Sequence, residues 1–418
     1  MTPQIAITTV ATTDVLIVGA GIGGLTLALV LGQQGYRVTI LDERIVCPPQ
    51  YRPELLQPAG LEVLNELGVL DKLLPLGAVR CEVFDFLSTN GSRLCLVDYR
   101  RLESRFPYTL IALPHLTQAA LLEALLRCPT VQVRRGCALS WLARSHAGLS
   151  HATFWERGEF TRLSARVVIG ADGRQSRVRK AAGIRVTRTS YRDAFVTLMA
   201  RRPVGFDDTV RYYVGRRQIL GMFPAAPDEL CLLYMVPAEG FNALKARGLS
   251  ALKAEISALD ADAANVVSEV TEWERVSYMD CRTIQAASWV ADGVALMGDA
   301  AHTCHPHVAQ GGTQAMLDAL ALAPVLRQCL VDGDCSAARL LAYEASRRPA
   351  VERLQRIAHE YARIWNTGNP LLAWLRDRMF SEIGRRPRLL AKVMETEAGL
   401  HASPLTVSER LQAMGVFS

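Results

Sequence analysis

Residues 14–43 read Asp-Val-Leu-Ile-Val-Gly-Ala-Gly-Ile-Gly-Gly-Leu-Thr-Leu-Ala-Leu-Val-Leu-Gly-Gln-Gln-Gly-Tyr-Arg-Val-Thr-Ile-Leu-Asp-Glu. An apolar, β-rich run at 15–18 passes without a gap into Gly19-x-Gly21-x-x-Gly24. Helix formers follow over 25–34, and a second apolar run at 38–41 ends in Asp42, 18 residues beyond Gly24. The order strand, glycine turn, helix, strand assigns each glycine a job: Gly19 permits the tight turn, Gly21 admits a pyrophosphate close to the backbone, and Gly24 lets the helix pack near the strand. The helix start offers free N–H groups and a positive dipole end to phosphate. With a carboxylate at the end of the second strand to meet ribose hydroxyls, the whole unit points to an adenine dinucleotide.

Outward from this unit, the chain runs to 418 residues with 50% hydrophobic content, enough for two or three domains and a large core. The formal charge of +6 comes almost wholly from arginine, since only five of the 47 basic residues are lysine. These arginines are scattered rather than gathered with aromatics, which argues against nucleic-acid binding. Ten cysteines, spread from Cys47 to Cys335 with no C-x-x-C pair and no zinc spacing, suit reduced, packed thiols in a cytoplasmic protein without a bound metal. The first 13 residues lack the basic start and apolar core of a signal peptide. Residues 15–31 are long enough to suggest a membrane span, but their glycine pattern reads better as a buried strand and helix.

Residues 1–13 read as a frayed polar tail, and 44–58, with Pro48, Pro49, Pro53 and Pro58, as an extended loop. Leucines 61, 64, 67 and 70 predict a helix over 59–74, and strands over 81–97 turn at Asn90-Gly91. A helix at 116–126 precedes strands at 130–141 and 151–156. Residues 167–169 form a buried strand, after which Gly170-Ala-Asp172-Gly173 turns into a helix bearing Arg174, Arg177 and Arg179. From 191 to 236 short alternating strands at 194–200, 210–214, 219–223 and 230–236 predict a separate antiparallel sheet. Helices at 249–259 and 261–269 follow. A strand at 294–297 then enters Gly298-Asp299 and a polar bend, with a glycine-rich helix start from Thr313 that favours negative charge. Beyond Ser336 the chain is helical, and Arg347, Arg348, Arg353 and Arg356 read as a solvated face.

Gly19-x-Gly21-x-x-Gly24, Asp172-Gly173 and Gly298-Asp299, in this order, resemble the class A flavoprotein monooxygenases of the para-hydroxybenzoate hydroxylase fold over residues 14–350. Ala309-Gln-Gly-Gly-Thr-Gln-Ala-Met-Leu-Asp-Ala319 is similar to a stretch of the salicylate, urate and ubiquinone-pathway hydroxylases. The resemblance implies an α/β chain: a Rossmann-like FAD-binding domain (1–80, 103–186 and 279–330), an antiparallel-sheet substrate domain (81–102 and 187–278), and a C-terminal helical segment, 331–418. It implies noncovalent FAD held by Asp42 or Glu43, Arg52, Gln118, Asp172, Gly173, Gly298 and Asp299, with Gly311 and Gly312 at the isoalloxazine edge and Pro306 near the ring face.

With no second G-x-G-x-x-G, NADH or NADPH would bind transiently and reduce the FAD. The family's chemistry is oxygen addition at flavin C4a and transfer from that hydroperoxide to an electron-rich ring, while the protein orients the reactants and excludes water. The expected substrate is a small aromatic or polycyclic molecule, and the expected assembly a monomer or homodimer without a membrane span. Arg211 and Tyr213, on one strand face by parity, and His305, beside the flavin loop, are the substrate-side candidates, with Tyr234 and Met222 on neighbouring strands. Met199, Phe206, Met222, Phe223 and Met235 predict a roomy apolar pocket. Two rivals share the fold. A halogenase would need Trp-x-Trp-x-x-Pro, and no two of the six tryptophans stand two apart. A flavin reductase or dehydrogenase of a prenyl or polycyclic substrate needs the same FAD without oxygen chemistry.

Overall fold

The computed structural model describes residues 7–9, 12–46, 52–144, 148–401 and 403–416. The decisive stretch forms the strand Thr13–Val18, the helix Ile22–Gln33 and the strand Val38–Asp42. Thr13–Val18 sits inside a nine-stranded sheet, parallel to Val38–Asp42 on one side and to Glu159–Gly170 on the other. Burial on both faces explains why its sequence is an unbroken apolar run rather than an alternating one. Val131–Arg135 extends the sheet beyond Val38–Asp42, and Val294–Leu296 pairs with the inner half of Glu159–Gly170.

The outer half of Glu159–Gly170 is antiparallel to Ser150–Glu156, so the short strand expected at 167–169 is the end of a 12-residue strand. Its polar alternation hides the outer half from a search for buried runs. Ile7–Thr9, expected to fray, pairs parallel to the same strand. Residues 47–51 of the proline-rich loop, Cys47 among them, lie outside the described residues, but Glu54–Leu56 forms a three-stranded sheet with Thr109–Ala112 and Val79–Cys81. The helix expected over 59–74 ends at Glu66, because the chain turns through Gly68 at φ +67° before a short 3-10 turn at Leu70–Lys72.

The second sheet has seven strands, among them Val83–Ser88, Val186–Arg201, Val210–Gly215, Gln218–Ala226, Glu229–Pro237 and Val276–Ala286. All its pairings are antiparallel except that of Val210–Gly215 with Val83–Ser88. Val276–Ala286 was not foreseen: it is an edge strand with Ser277, Asp280 and Arg282, and it runs through the boundary expected at 278/279. Both faces of this sheet are covered. Leu249–Ser257 and Ala261–Ser268 pack on one, while the C-terminal helices Ala337–Trp365, Pro370–Arg385 and Pro387–Glu397 close the other. The helix Gly311–Asp332 is long and apolar enough to cross a membrane by composition, yet Met316, Ala319, Leu322 and Leu326 bury it in the main core against Ile22–Gln33.

Candidate functional site

A cleft of about 710 Å³ opens beyond the carboxyl ends of the parallel strands. Gly19, Gly21, Gly24, Asp42, Glu43, Arg52, Gln118, Asp172, Gly173, Gly298, Asp299, Gly311 and Gly312 all line it. The three glycines of the first motif are held for different reasons. Gly19 has φ +108°, and a Cβ there would lie 2.3 Å from the Ala171 carbonyl oxygen. A Cβ on Gly24 would lie 2.1 Å from the carbonyl oxygen of Gly19, so helix and turn touch through bare backbone. A Cβ on Gly21 would meet nothing within 4 Å. No protein packing requires a glycine there, which fits a cradle whose occupant is a ligand.

Two helix starts face this space without side-chain caps. Ile22–Gln33 begins at Gly21, and Gly311–Asp332 at Gln310. The Gln310 amide is committed elsewhere: its nitrogen donates to the Thr396 carbonyl at 2.6 Å, and its oxygen accepts from Gln314 at 2.9 Å. Both starts therefore leave N–H groups for an anion. Asp42 is buried and accepts from the Ala20 N–H and the Arg44 N–H, each at 2.8 Å, so one carboxylate braces the glycine turn at the cleft wall. Glu43 stands exposed at the mouth, 3.4 Å from Arg177.

Asp172 is not in an arginine ion pair. Its Oδ2 accepts from the Arg177 and Val178 N–H groups at 2.6 and 3.1 Å, while its buried Oδ1 has no partner among the described residues. An orphaned acceptor at the wall of an open cleft fits a hydroxyl-bearing ligand. Arg179, fully buried, donates to the Ala300 and Arg174 carbonyls at 2.7 and 2.8 Å and so ties the two later motifs together. Asp299 is surrounded by protein but open to the cleft. Burial raises its carboxyl above the usual range, against the pull of Arg174, His302 and Arg52. Glu54, whose Oε2 has no partner among the described residues, is raised by burial as well, with Arg52 opposing and Asp299 reinforcing.

The turn at Gly298 is fixed by a residue whose role sequence reasoning did not assign. Asp318, fully buried, accepts from the Gly298 N–H at 2.9 Å, from His302 Nε2 at 2.7 Å and from Arg347 Nε at 2.9 Å. His302 is thus structural. Arg347, read from sequence as part of a solvated face, is bound inside, and Arg348 likewise pairs with Glu344. The signal was present only as an aspartate in an apolar helix.

Beyond Gly311 and Gly312 the cleft continues into a cavity of about 230 Å³, lined by Arg52, Glu54, Asp299, Pro306, His305, Tyr212 and Phe223 among others. His305 is buried, and burial together with His307 and His359 lowers it to about 2, so its imidazole is neutral. Its Nδ1 accepts from the His307 N–H at 3.4 Å, which puts the ring proton on Nε2, a position without a partner among the described residues.

Arg211 and Tyr213 do share a strand face, as expected, but it is the face turned away from the cavity. The Tyr213 hydroxyl donates to Asp260 at 2.5 Å, and Arg211 pairs with Asp262 at 3.1 Å and stacks over Phe206. Tyr234, hydrogen-bonded to Glu255, and Met222 lie in the same far layer. Of the apolar residues expected to form one pocket, Met199, Phe223 and Met235 are on the near side, while Phe206 and Met222 are not. Periodicity groups residues by face but cannot say which face meets the cleft when both are buried. The neighbour Tyr212 takes the cavity-facing place.

Ala309, where glycine is common in the resembling stretch, has φ +45°. A left-handed conformation costs an L-residue roughly 1–2 kcal/mol. Ala309→Gly is therefore expected to raise the unfolding midpoint of the holoenzyme by about 1–3 °C in a thermal scan; a lower midpoint would show that the alanine methyl contributes packing that outweighs the strain. Among the described residues no group of three or more His, Cys, Asp or Glu could hold a metal.

Residues 12–358 match the family model of the FAD binding domain. A 6-methylpretetramide 4-monooxygenase of Streptomyces rimosus is 34% identical over 383 residues, covering 90% of this chain and 90% of its own. The 3-demethoxyubiquinol 3-hydroxylase of Escherichia coli is 31% identical, covering 75% of this chain and 79% of its own. Among solved structures, P. aeruginosa PqsL in complex with 2-aminobenzoylacetate superimposes with a TM-score of 0.75 at 26% identity, over 87% of this chain and 99% of that one.

Proposed function

The chain belongs to the FAD-binding family of class A flavin-dependent aromatic hydroxylases, and on that premise we propose that it hydroxylates a multi-ring phenolic substrate lying against the Tyr212 face of the second sheet. It is an FAD-dependent monooxygenase with NAD(P)H as reductant, not the dehydrogenase that the motifs alone would also allow. Bound FAD, reduced by NAD(P)H, supplies the oxygen activation.

The observation that carries the multi-ring reading is the adjacency of two cavities that share wall residues. The cavity beside Gly311 adjoins a further aromatic chamber, with Leu55, Tyr212 and Ala309 in the walls of both. A single-ring phenol would leave that chamber empty. The 6-methylpretetramide 4-monooxygenase, whose named substrate is larger than one ring, supports the same choice.

In this reading Gly19, Gly21 and Gly24 hold the pyrophosphate at the start of Ile22–Gln33, and Asp42, with Glu43 at the mouth, the adenosine ribose. Arg52 and Gln118 line the same path, Asp172 and Gly173 supply an acceptor and a turn, and Gly298 and Asp299 meet the ribityl chain. Gly311 and Gly312 hold the isoalloxazine edge, their helix start favouring the negative charge of the reduced ring. Pro306 and neutral His305 form the substrate wall in this reading, and the His305 Nε2 proton, unpartnered among the described residues, is the donor assigned to a substrate oxygen. Arg211 and Tyr213 are given no substrate role. The two sheets support the division into an FAD and a substrate domain. Eight of the described cysteines, from Cys81 to Cys329, are free thiols and support a cytoplasmic setting, where a monomer or homodimer would work.

The test is a comparison of multi-ring and single-ring phenols as stimulators of NAD(P)H and oxygen consumption by the yellow holoenzyme. Multi-ring phenols should stimulate by about tenfold more, the yield of roughly one well-filled hydrophobic subsite, with one labelled oxygen atom entering the product. Stimulation by single-ring phenols alone overturns the substrate class, and product free of label overturns the reaction.

A further inference from the structure

Behind Tyr212 lies the second chamber, about 180 Å³, between the seven-stranded sheet and the C-terminal helices. Its walls are aromatic: Phe86 stacks on Tyr212 at 5.1 Å, and Trp365 stands edge-on to Phe86 at 5.6 Å. The polar groups that reach it are almost all engaged. Arg410 pairs with Glu360 at 2.8 Å, Arg376 with Asp377 at 2.7 Å, and His307 with Asn366 at 2.7 Å. The Tyr99 hydroxyl donates to Gln57 at 3.2 Å.

Glu397 differs. It is the last residue of the helix Pro387–Glu397, it lines the chamber, and among the described residues no arginine or lysine pairs with it. Lys392 of the same helix is taken by Glu409. Three conditions work against its negative charge: the aromatic walls, the negative end of its own helix dipole, and the commitment of the chamber's arginines, Arg376 and Arg410, to other carboxylates. Burial pushes the carboxyl up to about 8, with the Tyr361 hydroxyl holding it back only in part. Near neutral pH it is an uncharged acid that presents one donor and acceptor oxygens side by side in an otherwise greasy space. The Tyr361 hydroxyl meets it, but nothing in the FAD cleft uses it.

We propose that Glu397 is the anchor of a distal substrate subsite, hydrogen-bonding a hydroxyl–carbonyl pair on the ring farthest from the one that reacts beside Pro306 and Gly311. Such a pair presents a donor and an acceptor complementary to the acid, and the chamber that Glu397 lines shares Leu55, Tyr212 and Ala309 with the cavity beside Pro306 and Gly311, so a multi-ring substrate in this scheme spans the two across Tyr212. This rests on the multi-ring reading above. Glu397 is a specificity-determining residue in this scheme, remote from the reacting atoms.

The experiment measures binding of 1,8-dihydroxyanthraquinone and of anthraquinone to the oxidised holoenzyme by perturbation of flavin absorbance, so turnover is not involved. Wild-type enzyme should bind the dihydroxy compound about tenfold more tightly, the worth of one well-made buried hydrogen bond. Glu397→Gln, which keeps a donor and an acceptor, should retain most of that preference, and Glu397→Met, similar in length but apolar, should abolish it while still binding anthraquinone. On the wild-type protein itself, an infrared difference spectrum should show a protonated-carboxyl band that shifts when the dihydroxy compound is added and is missing from Glu397→Gln. A preference retained in Glu397→Met, or a band that does not shift, overturns the anchor while leaving the multi-ring reading intact. Wild-type enzyme that binds neither compound overturns both.

Discussion

Gly21→Ala is expected to give a folded protein that has lost most of its FAD, whereas Gly24→Ala is expected not to accumulate as a folded protein at all. The two glycines are three residues apart in one motif, and the contrast comes from what surrounds them. A methyl on Gly24 would sit 2.1 Å from the Gly19 carbonyl oxygen and 3.3 Å from the Ala171 Cβ, with backbone rather than a flexible side chain in the way. Relief would require the helix Ile22–Gln33 to leave the sheet, and an overlap of that kind belongs with the exceptional substitutions that cost more than about 4 kcal/mol. Gly21 has φ −72°, comfortable for alanine, and its methyl would enter open cleft. There it keeps the pyrophosphate from the backbone N–H groups; losing one or two charge-assisted hydrogen bonds weakens FAD by roughly 10–1000-fold. Flavin absorbance per protein, a dissociation constant from reconstitution, and a thermal midpoint of the apo-protein separate the two cases. A Gly21→Ala protein with a full complement of FAD would remove the pyrophosphate from this position.

The second large effect is expected at Asp318. Asp318→Asn keeps the shape but places an amide where His302, Arg347 and the Gly298 N–H all seek an acceptor. Removing the buried carboxylate that balances the partly buried Arg347 costs about 3 kcal/mol, the low end for breaking a buried pair, and the freed Gly298-Asp299 turn should weaken FAD retention as well. The acid dependence supplies an independent signature. Burial alone would raise the Asp318 carboxyl, but His302, Arg347 and the Gly298 N–H outweigh it and hold it below the ordinary 3.8. The folded protein therefore keeps this group ionised at a pH where the unfolded chain has begun to take up a proton. Its contribution is fully present above about pH 4–5 and is lost as pH falls through the ordinary value toward the lower folded one. Holoenzyme unfolding followed by flavin fluorescence should show that loss below pH 4 in the wild type and a flatter profile in Asp318→Asn. An identical acid limb in both proteins would assign the acid sensitivity to other carboxylates.

The residues themselves determined the dinucleotide unit and the identity of its glycines, because a parallel strand buried on both faces must be an unbroken apolar run and a tight phosphate turn must be glycine. The Asp172-Gly173 and Gly298-Asp299 turns were legible for the same local reason: a strand that ends in glycine and acid before a helix has few other conformations. Tertiary structure alone decided which face of the second sheet meets the cleft. Alternation along 210–215 groups Arg211 with Tyr213, but with helices on both sides of the sheet either face is buried, and only the packing of the C-terminal helices puts Tyr212 on the cavity side. The partners of Asp318 lie 16, 20 and 29 residues away in sequence, and Glu397 stands more than 180 residues from the tyrosine whose chamber it shares. Neither arrangement leaves a local pattern, because a buried acid is defined by what folds around it.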